Sequence, residues 1–313
     1  IESLLEELPI EKSVDFSVSD LHSGHEVDEI ARSFEVDLAT NNIQLPSFPG
    51  AALRIRHLLD DPNVNTHDVA NALISDPAMT VKLLKTCNSA LYRRANEITS
   101  GHDAIVRLGF DTTRQLITIF AMKELFNSKN KFLQGQMENL WSHSREVATI
   151  SYVLATITPG MNPELALLAG LVQDIGTIPI LNYVESYPDF MKLEHKIDEL
   201  SNKLKTKMSS ALLRKWGFQK ELIEVVENSE NWLYNSDGDQ ATYTDLAIAA
   251  QVHALIGKEE HKNLPPFSKI TAFTKLGGHG LTPEQSQEVL LQSNHQLSNL
   301  KALLGTNTIP VVH

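Results

Sequence analysis

Three dipeptides constrain this chain more than any other feature: Asp76-Pro77, Asn162-Pro163 and Thr282-Pro283. Each pairs a side chain able to accept from the free N–H groups of a first helical turn with a proline that has no N–H to lose there. Apolar residues follow: Met79, Val81, Leu83 and Leu84 after the first, and Leu165, Leu168, Leu171, Val172 and Ile175 after the second. Thr282 has Gln285 three positions on, a capping box that opens a last amphipathic helix running to about Leu304. The spacing predicts further helices over Ala51–Leu59, from a Thr66 cap to Ile74, over Ala104–Leu108 stopped by Gly109, and over Thr112–Phe126 behind an Asp111 cap. Others are predicted over Asn139–Leu154, Pro188–Leu200, Lys203–Trp216, Gln219–Asn228 and Thr244–Ile256. No stretch of useful length alternates with the period of a half-buried strand. The expected fold is all-α.

Charge divides the chain unevenly. Of the net −12, residues 1–42 carry eleven acids against Lys12 and Arg32, which leaves the remaining 271 residues at only −3. The leader reads as an acidic linker or the tail of an upstream domain, with an inhibitory or docking arm as the alternative. Within it, Ile1–Leu8 has the pattern of a helical turn or two before Pro9. The polar stretch Asn127–Gly135 is the best candidate boundary, giving helical subdomains over 43–135 and 136–305 and a tail over 306–313. A near-neutral body lacks the basic stripe of a nucleic-acid binder. No apolar run reaches the length of a membrane span, and Leu165–Val172 is the strongest. One cysteine, Cys87, excludes an internal disulfide and fits a reducing, cytoplasmic setting. The first residue, Ile1, suggests a piece of a longer chain.

The common phosphate-binding, dinucleotide-binding and zinc signatures are absent. Three places carry chemistry instead: Trp141-Ser142-His143-Ser144, Gly170-Leu171-Val172-Gln173-Asp174-Ile175-Gly176, and the Leu212–Phe218 helix end. Asp174 closes an apolar helix, where a carboxylate must be paired, hydrogen-bonded or metal-bound to stay charged. In this order the three resemble the HDOD domains, the HD-related output domains of bacterial signalling proteins. Leu45-Pro46 with Phe48-Pro49, Asn88-Ser89 with Tyr92, and Ala104-Ile105 with Leu108-Gly109 look like the same family. The resemblance covers roughly residues 43–256.

That resemblance implies a second subdomain built as a degenerate relative of the HD phosphohydrolases, which hold one or two metals with histidines and aspartates on separate helices. His143 matches the first histidine and Asp174 the aspartate of the His-Asp pair. Gln173 stands where the pair's histidine belongs, Lys205 where many relatives have a histidine, Asn228-Ser229 where a His-His is common, and Gln251 at the closing aspartate. A neutral amide is a poor ligand for zinc or iron, and a protonated lysine has no lone pair at all. The Gly-Tyr-Pro of the related HD-GYP phosphodiesterases is missing; Ser186-Tyr187-Pro188 is the nearest approach. The expected function is a non-catalytic regulatory or output module without a cofactor. It would bind a protein partner, an upstream sensor domain or a small nucleotide-like ligand, and neither nucleic acid nor membrane. The alternative is an HD-type phosphohydrolase with a divalent metal at His143 and Asp174, acting on a nucleotide or phosphodiester.

Lys205 decides between them in part. Its ammonium would replace the metal's charge if it lies near Asp174, whereas a separation beyond about 6 Å would leave it one of three solvated lysines with Lys203 and Lys207. Asn88 and Ser89 are expected to satisfy backbone groups at a helix end. Trp141 and Trp216 read as packing residues, Trp232 as more exposed, Cys87 as an inert core thiol, and His253 as a surface or satisfied core histidine.

Overall fold

The computed structural model describes residues 18–305 apart from 41, 44, 95, 257 and 259–263; the expected turn at Ile1–Leu8 and the 306–313 tail lie outside the described residues. Among the described residues there are fifteen α-helices and no strand. In chain order they are α1 (Val18–Ala39), α2 (Gly50–Leu59), α3 (Thr66–Ile74), α4 (Pro77–Cys87), α5 (Gly101–Leu108), α6 (Phe110–Leu125), α7 (Lys131–Thr156) and α8 (Pro163–Val172). Then follow α9 (Thr177–Val184), α10 (Pro188–Met191), α11 (Glu194–Lys215), α12 (Lys220–Asn228), α13 (Tyr243–Leu255), α14 (Pro283–Gln292) and α15 (Asn294–Leu304), with 3-10 turns at Phe267–Lys269 and Thr271–Gly278 before α14.

The proline punctuation is read out as caps. Asp76 accepts from the Met79 amide at 2.9 Å and Asn162 from the Leu165 amide at 2.8 Å. Thr282 and Gln285 bond reciprocally at 3.2 and 2.8 Å. Elsewhere the cap differs from the expected one. Asn65, not Thr66, caps α3, because its side chain reaches the His67 and Asp68 amides while Asp68 returns to the Asn65 amide. Gly109 (φ 79°) precedes α6, and Asp111 pairs with Arg114 at 3.2 Å inside its first turn. Helix α7 begins at Lys131, capped by Asn130, so part of the expected boundary stretch is helical. The predicted pair over 188–216 resolves into the short α10 and a continuous 22-residue α11, and the last predicted helix breaks at Ser293.

The acidic leader is the largest departure from expectation. Residues read as linker form α1, which buries Val27, Ile30 and Phe34 on one face. Its acids meet a basic face of α11: Lys203 reaches Asp28 at 2.5 Å, Lys207 reaches Glu35 at 2.8 Å, and Lys196 bonds Glu26. Tyr183 on α9 donates to Asp37 at 2.8 Å. Charge alone suggested solvation; the three apolar residues spaced at helical intervals within it are what dock it.

At the centre α8 crosses α7. Gly170 permits the approach, since a Cβ there would stand 2.5 Å from the Ala148 Cα. The stretch Pro163–Val184 is apolar and long enough to span a membrane by length and composition, contrary to the sequence expectation, but 89% of its most apolar window is buried inside this fold. Arg56 of α2 lies under the Phe218 ring at 4.1 Å and donates to the carbonyls of Trp216 and Gly217 at 3.4 and 3.3 Å, so a stacked guanidinium closes the end of α11. Tyr92 donates to buried Glu164 at 2.9 Å, fixing α8 to the loop after α4. Asn88 brackets the Ile98 backbone with bonds of 2.7 and 2.8 Å, and Ser89 donates to the Thr86 carbonyl. Trp141, Trp216 and Cys87 are buried. His253 bonds Ser286 at 2.7 Å, and burial pushes its pKa down to about 4: a satisfied core histidine.

Candidate functional site

The middles of α7 and α11 and the turn that ends α8 meet at a cavity of about 600 Å³. His143 comes from α7, Asp174 from the turn after α8, and Lys205 from the middle of α11. Positions 203, 205 and 207 explain the last placement: Lys203 and Lys207, four apart, share the face that meets α1, so Lys205 between them points the other way, inward. Gly176 sets the depth. A Cβ at this position would collide with the Lys205 carbonyl and the Ser209 backbone, and its own amide donates to Ser209 Oγ at 2.8 Å. A hydrogen at Gly176 is therefore what lets α11 close on Asp174.

Lys205 Nζ lies 3.4 Å from Asp174 Oδ1 and also pairs with Glu230. Asp174 is 6% exposed, so its charge is held in a poorly solvated place. Burial, the largest influence on Lys205, pulls its pKa down, but the carboxylates of Asp174 and Glu230 together outweigh it and the net direction is up. His143 Nε2 is 3.6 Å from Asp174 Oδ2. The Gln173 amide nitrogen sits 3.3 Å from Asp174 Oδ2 and 3.4 Å from His143 Nε2, while Gln173 Oε1 is buried without a partner.

Two of the six positions singled out in the sequence are turned elsewhere. Asn228 donates to the Glu224 carbonyl of its own helix at 3.0 Å and does not line the cavity. Gln251 does line it, but its amide is tied to the Ser229 carbonyl at 2.8 Å. Trp232 is half-buried on the cavity wall, less exposed than expected. Sequence reasoning missed Glu230 and Ser201. Ser201 lies one helical turn before Lys205 and its buried Oγ has no partner, a placement the i, i+4 spacing made available. Glu230 follows α12 in a turn with no motif to mark it.

The donor set does not fit a divalent metal. His143 is the one imidazole on the cavity wall, and the Asp174 carboxylate beside it, at 3.6 Å, is approached more closely by the Lys205 ammonium, at 3.4 Å, which also takes up Glu230. Among the described residues no three His, Cys, Asp or Glu side chains stand together as a metal would need.

The chain belongs to the HDOD domain family, which it matches over residues 45–232. Its fold is that of the HD-like phosphohydrolases: a Shewanella amazonensis protein described provisionally as a metal-dependent phosphohydrolase is 26% identical, with a TM-score of 0.75 over 88% of this chain and 99% of that one. A Marinobacter aquaeolei protein, described provisionally as a signal-transduction protein, shares the fold at 20% identity and a TM-score of 0.55, over 83% of this chain and 60% of its own. An uncharacterised protein of Treponema pallidum (strain Nichols) is 19% identical over 263 residues, 75% of this chain, which spans about half (49%) of that relative.

Proposed function

We propose that this chain is a non-catalytic regulatory module of a cytoplasmic signalling protein, and that the cavity at Asp174 recognises a protein partner or a small nucleotide-like ligand. The observation that carries this reading is the Lys205 ammonium between Asp174 and Glu230. It supplies the positive charge that the carboxylate requires, and it does so without a coordination site. A metal-activated water has no place to form beside it.

Metal analysis of the purified protein, combined with turnover of bis(p-nitrophenyl) phosphate under added manganese, tests the reading. The expected result is substoichiometric metal and no turnover above that of the Asp174→Ala variant. Stoichiometric zinc, iron or manganese, with turnover abolished by Asp174→Ala, would establish the phosphohydrolase reading in its place.

A further inference from the structure

A second cavity, of about 400 Å³, lies between α4, α6, α7 and α15 and shares no lining residue with the first. Its apolar wall includes Phe120, Trp141 and Leu303, and its rim carries Lys82, Lys85 and Lys123. Trp141 and His143 are two positions apart on α7, about 200° around the helix, so the two cavities open on opposite sides of it. Among the described residues neither Lys85 nor Lys123 forms an ion pair, and Lys82 reaches only the exposed Glu124, at 3.5 Å. Arg145 adds a fourth cation behind the rim, its guanidinium donating to the Gly305 carbonyl at 2.8 Å alongside the Trp141 indole at 3.1 Å. Although the chain's net charge is −12, the lining of this cavity holds three lysines and no carboxylate.

We infer that this cavity binds an amphipathic organic anion: an aromatic or branched aliphatic body against Phe120, Trp141 and Leu303, with one phosphate, sulfonate or carboxylate head among the three lysines. Apolar walls with a few converging polar groups are the usual make-up of a small-molecule site, and the volume falls in that range. A polyanion would need a stripe of cations rather than a ring around one hydrophobic hole. Burial first, then Lys82 and Arg145, lower the Lys123 pKa from the ordinary lysine value, and an anionic head among these cations relieves that repulsion. The inference stands independently of the reading of the Asp174 cavity.

The test uses 8-anilinonaphthalene-1-sulfonate and its uncharged analogue N-phenyl-1-naphthylamine, with 1-naphthyl phosphate and 1-naphthoate as competitors that separate the head groups. We expect a single saturable sulfonate site, weakened by salt, that binds the neutral analogue at least about tenfold less tightly, a difference of ~1.4 kcal/mol. The K82Q/K85Q/K123Q variant weakens the anion by a similar factor. Ala302→Trp, at an exposed position beside the cavity, abolishes binding while leaving the melting temperature unchanged. Equal affinity for the neutral analogue, or undiminished anion binding in either variant, overturns the proposal. So does anion binding that appears only after removal of residues 306–313, which would assign the cavity to the chain's own tail.

Discussion

Lys205 and Lys123 sit in the two cavities on either side of α7 and answer to opposite fields. Lys205 is buried between two carboxylates that raise its pKa against the pull of burial; Lys123 is lowered by burial and by two further cations. The first cavity has its charge neutralised from within, at 3.4 Å from Asp174 and in contact with Glu230. In the second, Lys85 and Lys123 have no ion-pair partner among the described residues. An internally compensated site is part of the folded structure, and an uncompensated one opposes folding until it is filled. The two cavities should therefore respond to substitution in opposite ways.

Gly176→Val is the largest test of that difference. The branched side chain would displace α11 where the Lys205 carbonyl and Ser209 press on Gly176, separating Lys205 from Asp174. A loss of about 3 kcal/mol or more in urea unfolding, or failure to fold, is expected from overpacking combined with a broken buried pair. Wild-type stability would show that the close approach of α11 is dispensable.

Next comes a matched pair of lysine substitutions. Lys205→Met leaves the buried Asp174 carboxylate without its cation, near the more exposed Glu230, and a loss of about 3 kcal/mol is expected, partly restored by adding Asp174→Asn. Lys123→Met removes a cation that has no ion-pair partner among the described residues, so its change should lie within about 0.5 kcal/mol of zero or be stabilising. Comparable losses at both positions would erase the distinction between the cavities. In a complementary gain experiment, Gln173→His with Lys205→His supplies two imidazoles beside His143 and Asp174, and zinc binding measured by competition with a chelating dye should rise from undetectable to stoichiometric.

The two lysines also differ in the sign of their pH dependence. Because Lys205 holds its proton more tightly folded than unfolded, its contribution to stability is present below the ordinary lysine pKa and is lost as pH rises through its raised folded value. Lys123 holds its proton more weakly when folded, so the penalty it imposes near neutrality is relieved as pH rises through its lowered value. Amine acylation at pH 8, followed by peptide mass spectrometry, should modify Lys123 well before Lys205, and 8-anilinonaphthalene-1-sulfonate should protect only Lys123. Labelling in the reverse order would contradict both assignments.

Much of this was legible in the sequence where a local rule operates. The caps at Asp76, Asn162 and Thr282 were readable because a side chain three residues from its partner needs no tertiary information. Asp174 and Lys205 were identified by family resemblance, and their proximity rests on Gly176, whose role appears only when α11 lies against it. Glu230 was invisible because a turn residue without a motif acquires meaning only from its neighbours. The lysine-rimmed cavity draws on four helices far apart in the chain, so no window of sequence contains it. The acidic leader shows the reverse: its charge, summed over the segment, points to a solvated linker, whereas Val27, Ile30 and Phe34 on one face of α1 are buried.

The smallest expected effect concerns the outer face of α11. Lys207 pairs with Glu35 at 2.8 Å, yet its side chain is 65% exposed, against 14% for Lys205 on the inner face of the same helix. Water screens the outer pair and its charges had little solvation to lose, so Lys207→Gln should cost no more than about 0.5 kcal/mol in urea unfolding and less in high salt. Two residues along the helix, the same chemical type then spans the range from negligible to structural. A loss at Lys207 as large as that at Lys205 would mean that docking of α1, rather than burial of charge, governs the stability of this helix.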